Sequence, residues 1–267
     1  MADLARTLWA FLVRDALMAV SYRLEFALQL ATVFFYVSAL YFLSGIIGVH
    51  AELAPYGGYL PFAAIGLAVA NFFQTGFDSF AKAIHREQLH GTLEALLLAP
   101  LRLTTVVVAC SAWRFLWTGV VSAIYVVAAV LLYDLELKGS PLLAGGLLVL
   151  TTLAFASLGL LSASFVMVYK RGDPIGLLLG GVSTLLGGVF FPVSALPGWL
   201  QSVAWCLPIT HGVDGIRAVL LRGAGVDEIL TSLLALGAFA ALGVPLGLLC
   251  FHRAVRRAQR EGTLLHF

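Results

Sequence analysis

Six apolar runs dominate this 267-residue chain, and each is long enough to cross a lipid bilayer: Leu24 to Ile47, Gly58 to Phe80, Leu103 to Tyr133, Pro141 to Val168, Ile175 to Phe191 and Ile229 to Phe251. A helical span needs ~20 apolar residues at a rise of about 1.5 Å each. Inside lipid, backbone N–H and C=O groups must be satisfied within the segment, so runs of this kind fold as helices. With 61% hydrophobic and only 11% charged residues, the chain has too little polar surface to cover a soluble domain of its length. The expectation is an all-α, polytopic membrane protein with six transmembrane helices.

The positions of Lys and Arg relative to the spans set the orientation. Arg6, Arg14 and Arg23 precede the first run, and Lys82, Arg86 and Arg102 lie between the second and third. Lys170 and Arg171 separate the fourth from the fifth, and Arg253, Arg256, Arg257 and Arg260 follow the sixth. Only Lys138, Arg217 and Arg222 fall on the opposite side, with Arg114 inside the third run. The basic excess marks the cytoplasmic face, so both termini are expected in the cytoplasm. The first long run is expected to remain as a span rather than act as a cleaved leader.

Three regions flank or interrupt the spans. Over residues 1–23, Leu4, Leu8, Phe11 and Leu12 fall on one side of a helix and Asp3, Arg6 and Arg14 on another, which suits a cytoplasmic interfacial helix. The transmembrane domain is placed at 24–251, with a basic cytoplasmic tail at 252–267. Within it, 192–222 holds prolines at 192, 197 and 208 and two short amphipathic segments. Leu200, Val203, Ala204 and Leu207 share a face of the first; Thr210 is expected to cap the second, where Val213, Ile216 and Leu220 share a face. Helices this short suit re-entrant or interfacial elements on the external side. In the fifth run Gly176, Gly180, Thr184 and Gly188 recur every four residues, so a close helix contact is expected there, within the subunit or across a dimer.

Polar residues inside the spans are few. Asn71, Gln74, Thr75, Asp78 and Lys82 follow one another down one side of the second span. Arg114 sits ~16 Å into the third at 1.5 Å per residue. Intramembrane charge normally faces the bundle and finds a partner, so Arg114 is expected to meet this stripe at Asp78 and tie the two spans together. The alternative is that Arg114 snorkels to headgroups.

The chain offers nothing for catalysis. Cys110, Cys206 and Cys250 are scattered, and no histidine has a His, Cys or carboxylate companion at metal-ligand spacing. There is no GxSxG elbow, no HExxH and no GxxxxGK[ST] phosphate loop. No catalytic residue, metal, bound cofactor or nucleic-acid partner is expected; membrane lipid is.

One polar segment stands between the second and third runs: HREQLHGTLEALLLAP, His85 to Pro100. On a helix over 84–99, Leu89, Leu93, Leu96 and Leu97 make an apolar stripe, and Glu87, His90, Gly91 and Glu94 face away from it. Such a helix would lie on the cytoplasmic surface with its polar face toward a partner. HGTLEALLLAPL, His90 to Leu101, resembles the coupling helix of the permease subunit of type-2 ABC exporters. FFP at 190–192, LPGWLQ at 196–201 and LPITHGVDGIRAVLLRG at 207–223 resemble the same family's external region. His90 departs from the family, which often has Arg there. The resemblance implies an ATP-driven exporter permease in a bacterial-type inner or plasma membrane. ATP and Mg would be held on a separate ATPase, present in two copies, that docks on Glu87, His90, Gly91, Thr92 and Glu94. It also implies a second permease copy, in a homodimer or a heterodimer, and an amphipathic or hydrophobic substrate such as a drug, lipid, lipid-linked saccharide or polysaccharide. The rival is an ATP-independent secondary transporter or channel, which would place ionisable groups at the membrane midplane. The middles of the first, fourth, fifth and sixth runs carry none.

Overall fold

The computed structural model describes residues 2–21, 23–48, 52–89, 103–133, 137–169 and 174–260; among these the backbone is helix and turn, with no strand. The helices are α1 (Ala2–Ser21), α2 (Arg23–Ile47), α3 (Tyr59–Leu89), α4 (Leu103–Tyr133), α5 (Pro141–Tyr169), α6 (Pro174–Leu186), α7 (Gly198–Trp205), α8 (Pro208–Arg217) and α9 (Leu230–Arg260). Four of them, α3, α4, α5 and α9, are long and apolar enough to cross a membrane, and α2 carries a shorter apolar stretch over Ala31–Ile47.

α6 is shorter than the run that contains it. Its 13 residues extend about 20 Å at 1.5 Å each, less than the ~30 Å of a hydrocarbon core. The helix stops because Gly187 and Gly188 follow: Gly188 adopts φ +77°, a left-handed conformation that glycine enters without strain. In the other direction α3 is longer than its run. It continues without a break to Leu89, so the first residues of the expected helix 84–99 extend the second span; residues 90–102 lie outside the described residues.

α3 is the axis of the bundle. Of its apolar span 83% is buried, against 22% for α4 and 11% for α9. It packs against α2, α4, α5, α6 and α8, and α5 in turn packs along α9. Small residues permit the close approaches. A Cβ on Gly76 would lie 2.8 Å from that of Phe155, and Gly159 backs onto the Gly76 carbonyl. Gly243 and Gly247 of α9 rest on Ser157 and Leu160 of α5. Lipid supplies no hydrophobic force between helices, so packing at this range is what holds them together. Phe73 and Phe155 fill the space beside these contacts edge to face, with centroids 4.8 Å apart.

The outside of the bundle is apolar. Leu142 is 86% exposed, and Phe34, Phe35, Leu131 and Leu242 are nearly as open. An apolar exterior around a core that contains buried Ser and Thr hydroxyls is the arrangement a bilayer stabilises and water does not.

Residues 187–224 form a cap over one end of the bundle, where α3, α5 and α9 begin and α6 ends. α7 is mostly exposed, whereas every residue of α8 except Asp214 is buried against α3, α5 and α9. Glycines again set the fit: a Cβ on Gly212 would lie 2.6 Å from a Thr151 methyl, and Gly139 sits against the Val219 carbonyl. The Lys138 amide donates to the Leu220 carbonyl at 3.0 Å, which ties the loop before α5 to the wide turn Ala218–Arg222.

Candidate functional site

Arg217, the last residue of α8, is 3% exposed. Its Nε donates to the Phe62 carbonyl at 2.9 Å, Nη1 to the Gly188 carbonyl at 2.6 Å and Nη2 to the Val189 carbonyl at 2.7 Å. The guanidinium also lies over the Phe62 ring, 3.4 Å from its centroid. One side chain thus joins the first turn of α3, the turn that ends α6 and the end of α8. Gly66 makes this possible, because a Cβ there would occupy the space of Nη2 and of the Val189 carbonyl. Burial pulls the Arg217 pKa down to about 9, while Tyr56, Asp214 and Tyr59 act to raise it, so the group keeps its charge at neutral pH. Taking an ion out of water costs several kcal/mol even after relaxation. Three charge-assisted hydrogen bonds at about 1.5–3 kcal/mol each are of the size that offsets it.

From sequence Arg217 is only one of the basic residues opposite the cytoplasmic side; the structure buries it at the end of α8. The signal was present: Val213, Ile216, Arg217 and Leu220 follow the spacing of one apolar helix face, and an arginine within such a face is a buried arginine. The expectation that Thr210 caps α8 is corrected. Leu207 occupies the cap position of α8 and Pro208 its first turn, without a side-chain cap. The Thr210 hydroxyl donates instead to the Ala204 carbonyl at 2.5 Å, and His211 Nε2 meets the Trp205 carbonyl at 2.9 Å. Two side chains of α8 therefore satisfy the end of α7. A cavity of about 200 Å³ lies beside the guanidinium, with Tyr56, Trp205 and Asp214 in its wall.

The polar stripe of α3 divides between α4 and α3 itself. Thr75 and Thr118 of α4 share a hydrogen bond at 2.6 Å, Ser122 of α4 donates to the Ala68 carbonyl at 3.0 Å, and Asn71 lies beside Tyr125. Gln74 donates to Asp78 at 2.7 Å, and Lys82 pairs with the same carboxylate from the next turn. The second and third spans are thus tied through hydroxyls at Thr75, while Asp78 is engaged by its own helix. Arg114 lies half-exposed on α4 and is itself partnered.

Of the expected packing glycines, Gly180 is buried opposite Gln74, Gly188 makes the turn after α6, and Gly176 lies within α6. Glu87 is in the last turn of α3. His90, Gly91, Thr92 and Glu94 lie outside the described residues. Among the described residues no group of His, Cys, Asp and Glu could hold a metal ion.

An apolar helical bundle with a buried cap at one end and a polar seam between two spans defines a class, the multi-pass membrane proteins. The chain belongs to the ABC-2 type transporter family, whose model matches residues 6–221. It is 34% identical over 171 residues to Nodulation protein J of Rhizobium leguminosarum bv. trifolii, an alignment covering 63% of this chain and 64% of that protein. Over 203 residues it is 30% identical to Nodulation protein J of Bradyrhizobium diazoefficiens, covering 74% and 76%. Similarity to the probable multidrug ABC transporter permease YbhR of Escherichia coli K12 is 27% over 152 residues, covering 57% and 41%.

Proposed function

We propose that this chain is the permease subunit of an ATP-driven exporter, with six membrane crossings and both termini in the cytoplasm. The observation that carries the proposal is the family match over residues 6–221, which includes the segment His90 to Leu101. On this reading α2 and the short α6 with its following turn supply the two crossings beyond the four long apolar helices. α1 lies along the cytoplasmic interface, residues 84–99 form the coupling helix, and the cap is the external re-entrant region. ATP and Mg belong to a separate ATPase in two copies, and a second permease, most simply another copy of this chain, completes the path. The substrate is an amphipathic or hydrophobic molecule: a drug, lipid, lipid-linked saccharide or polysaccharide. One relative's name, a probable multidrug ABC transporter permease, supports the drug class, and the apolar aromatics of α2 suit any of these.

The test uses the chain co-purified with its ATPase in lipid. Glu94→Ala and Gly91→Leu are expected to leave insertion and basal hydrolysis intact while substrate-stimulated hydrolysis falls at least fivefold. Full stimulation in both variants would remove the coupling role. Transport that persists without nucleotide would favour the secondary-transporter alternative.

A further inference from the structure

We propose that Arg217 is a positioning residue that clasps the cap to α3, so that the two move as one unit during transport. The observations are geometric. The Arg217 guanidinium is buried and donates to three separate backbone carbonyls, which belong to α3 and to the turn closing α6. α3 is a single helix of 31 residues, Tyr59–Leu89, about 46 Å long at 1.5 Å per residue. Phe62, the acceptor on α3, lies in its first turn, and Leu89 at its far end leads directly into residues 90–102. A rigid helix gripped at its first turn transmits displacement of its far end to whatever holds the grip. α8 and the turn at 187–192 are what hold it, and the wide turn after α8 carries the motion on to Lys138 through the Leu220 carbonyl. Gly66 provides a second handle, because a methyl at that position would crowd both Nη2 of Arg217 and the Val189 carbonyl it holds while leaving residue 217 unchanged.

The direction of this linkage, from a coupling segment toward an external cap, rests on the permease reading; the clasp does not, and the two are tested apart. The first arm measures amide hydrogen exchange of the purified chain in lipid nanodiscs. In Arg217→Gln, amides over 187–196 and 59–66 are expected to exchange at least tenfold faster, while those over 70–83 and 235–250 keep their rates. Gly66→Ala should reproduce that pattern. Arg217→Lys, which keeps the charge with a single donor centre, should fall between. If only α8 loosens in Arg217→Gln, or if Gly66→Ala leaves 59–66 at its wild-type rate, there is no clasp.

The second arm uses the exposed thiol of Cys206, beside the cap's elbow, as a reporter in a Cys110→Ala, Cys250→Ala background. With the ATPase bound, a non-hydrolysable nucleotide should change its rate of labelling by an impermeant maleimide, and Arg217→Gln and Gly66→Ala should both abolish the change. A nucleotide response that survives in both variants overturns the linkage. A wild-type chain that retains no ATPase overturns the permease reading instead, and the exchange pattern alone then decides the clasp.

Discussion

Thr75 and Thr118 show what a single pair contributes in this molecule. Each hydroxyl is the other's partner at 2.6 Å across the α3–α4 seam, and in lipid such a bond contributes about 0.6 kcal/mol on average and up to ~1.7. A double-mutant cycle with Thr75→Val and Thr118→Val is therefore expected to give a coupling energy of about 0.5–1.5 kcal/mol in unfolding from lipid–detergent micelles. A coupling near zero would mean that the two helices meet through packing alone. Arg217 shows the limit of a side-chain pattern, which can place an arginine on a helix face although arginine is rarely buried. Its acceptors are backbone carbonyls some 28 to 155 residues away in sequence, and no side-chain pattern announces a backbone acceptor.

At the scale of elements, the pattern of the sequence was read well where it is long. α3, α4, α5 and α9 match the expected second, third, fourth and sixth runs within a few residues at most ends, because a continuous apolar stretch leaves a helix as the only way to satisfy its backbone. The elements it misplaced are bounded by local conformation. α6 ends early at two glycines, and α3 runs past Phe80 because nothing in AKAIHREQL breaks a helix. Glycine spacing draws attention to α6; close helix-to-helix approaches are also made by Gly76 and Gly159, whose partners are visible only in three dimensions, and by Gly243 and Gly247, four residues apart on α9. This gives a sharp comparison within α9. Gly243→Leu drives a side chain into Ser157 and is expected to cost about 1–3 kcal/mol of stability. Gly237→Leu faces open space and should cost little or nothing. Thermal unfolding of the two variants in the same lipid would separate them; equal melting temperatures would show that α5 and α9 part easily.

Across the whole molecule the basic residues are distributed unevenly between the two sides of the apolar runs. The proposed topology puts Lys138 and Trp199 outside and Arg86, Lys170 and Arg257 in the cytoplasm, following the distribution of basic residues. Single cysteines at these positions in a cysteine-free background, treated on intact cells with an impermeant thiol reagent, should react at 138 and 199 and stay silent at 86, 170 and 257. Labelling at 86 from outside would invert or break the topology.

The centrality of α3 has a consequence for how the chain is made. Its span has the lowest mean hydropathy of the four long apolar helices, 1.4 against 1.8, 2.0 and 2.2 for α4, α5 and α9. Asn71 and Gln74 lie near the middle of this span and Asp78 toward its end, and each polar side chain lowers the free energy gained on insertion. The helix most enclosed by the finished bundle is thus the one the bilayer accepts least readily as it leaves the ribosome. It is expected to depend for stable insertion on α4, which brings Thr118, Ser122 and Tyr125, and a variant that delays α4 should leave the nascent second span more open to membrane proteases.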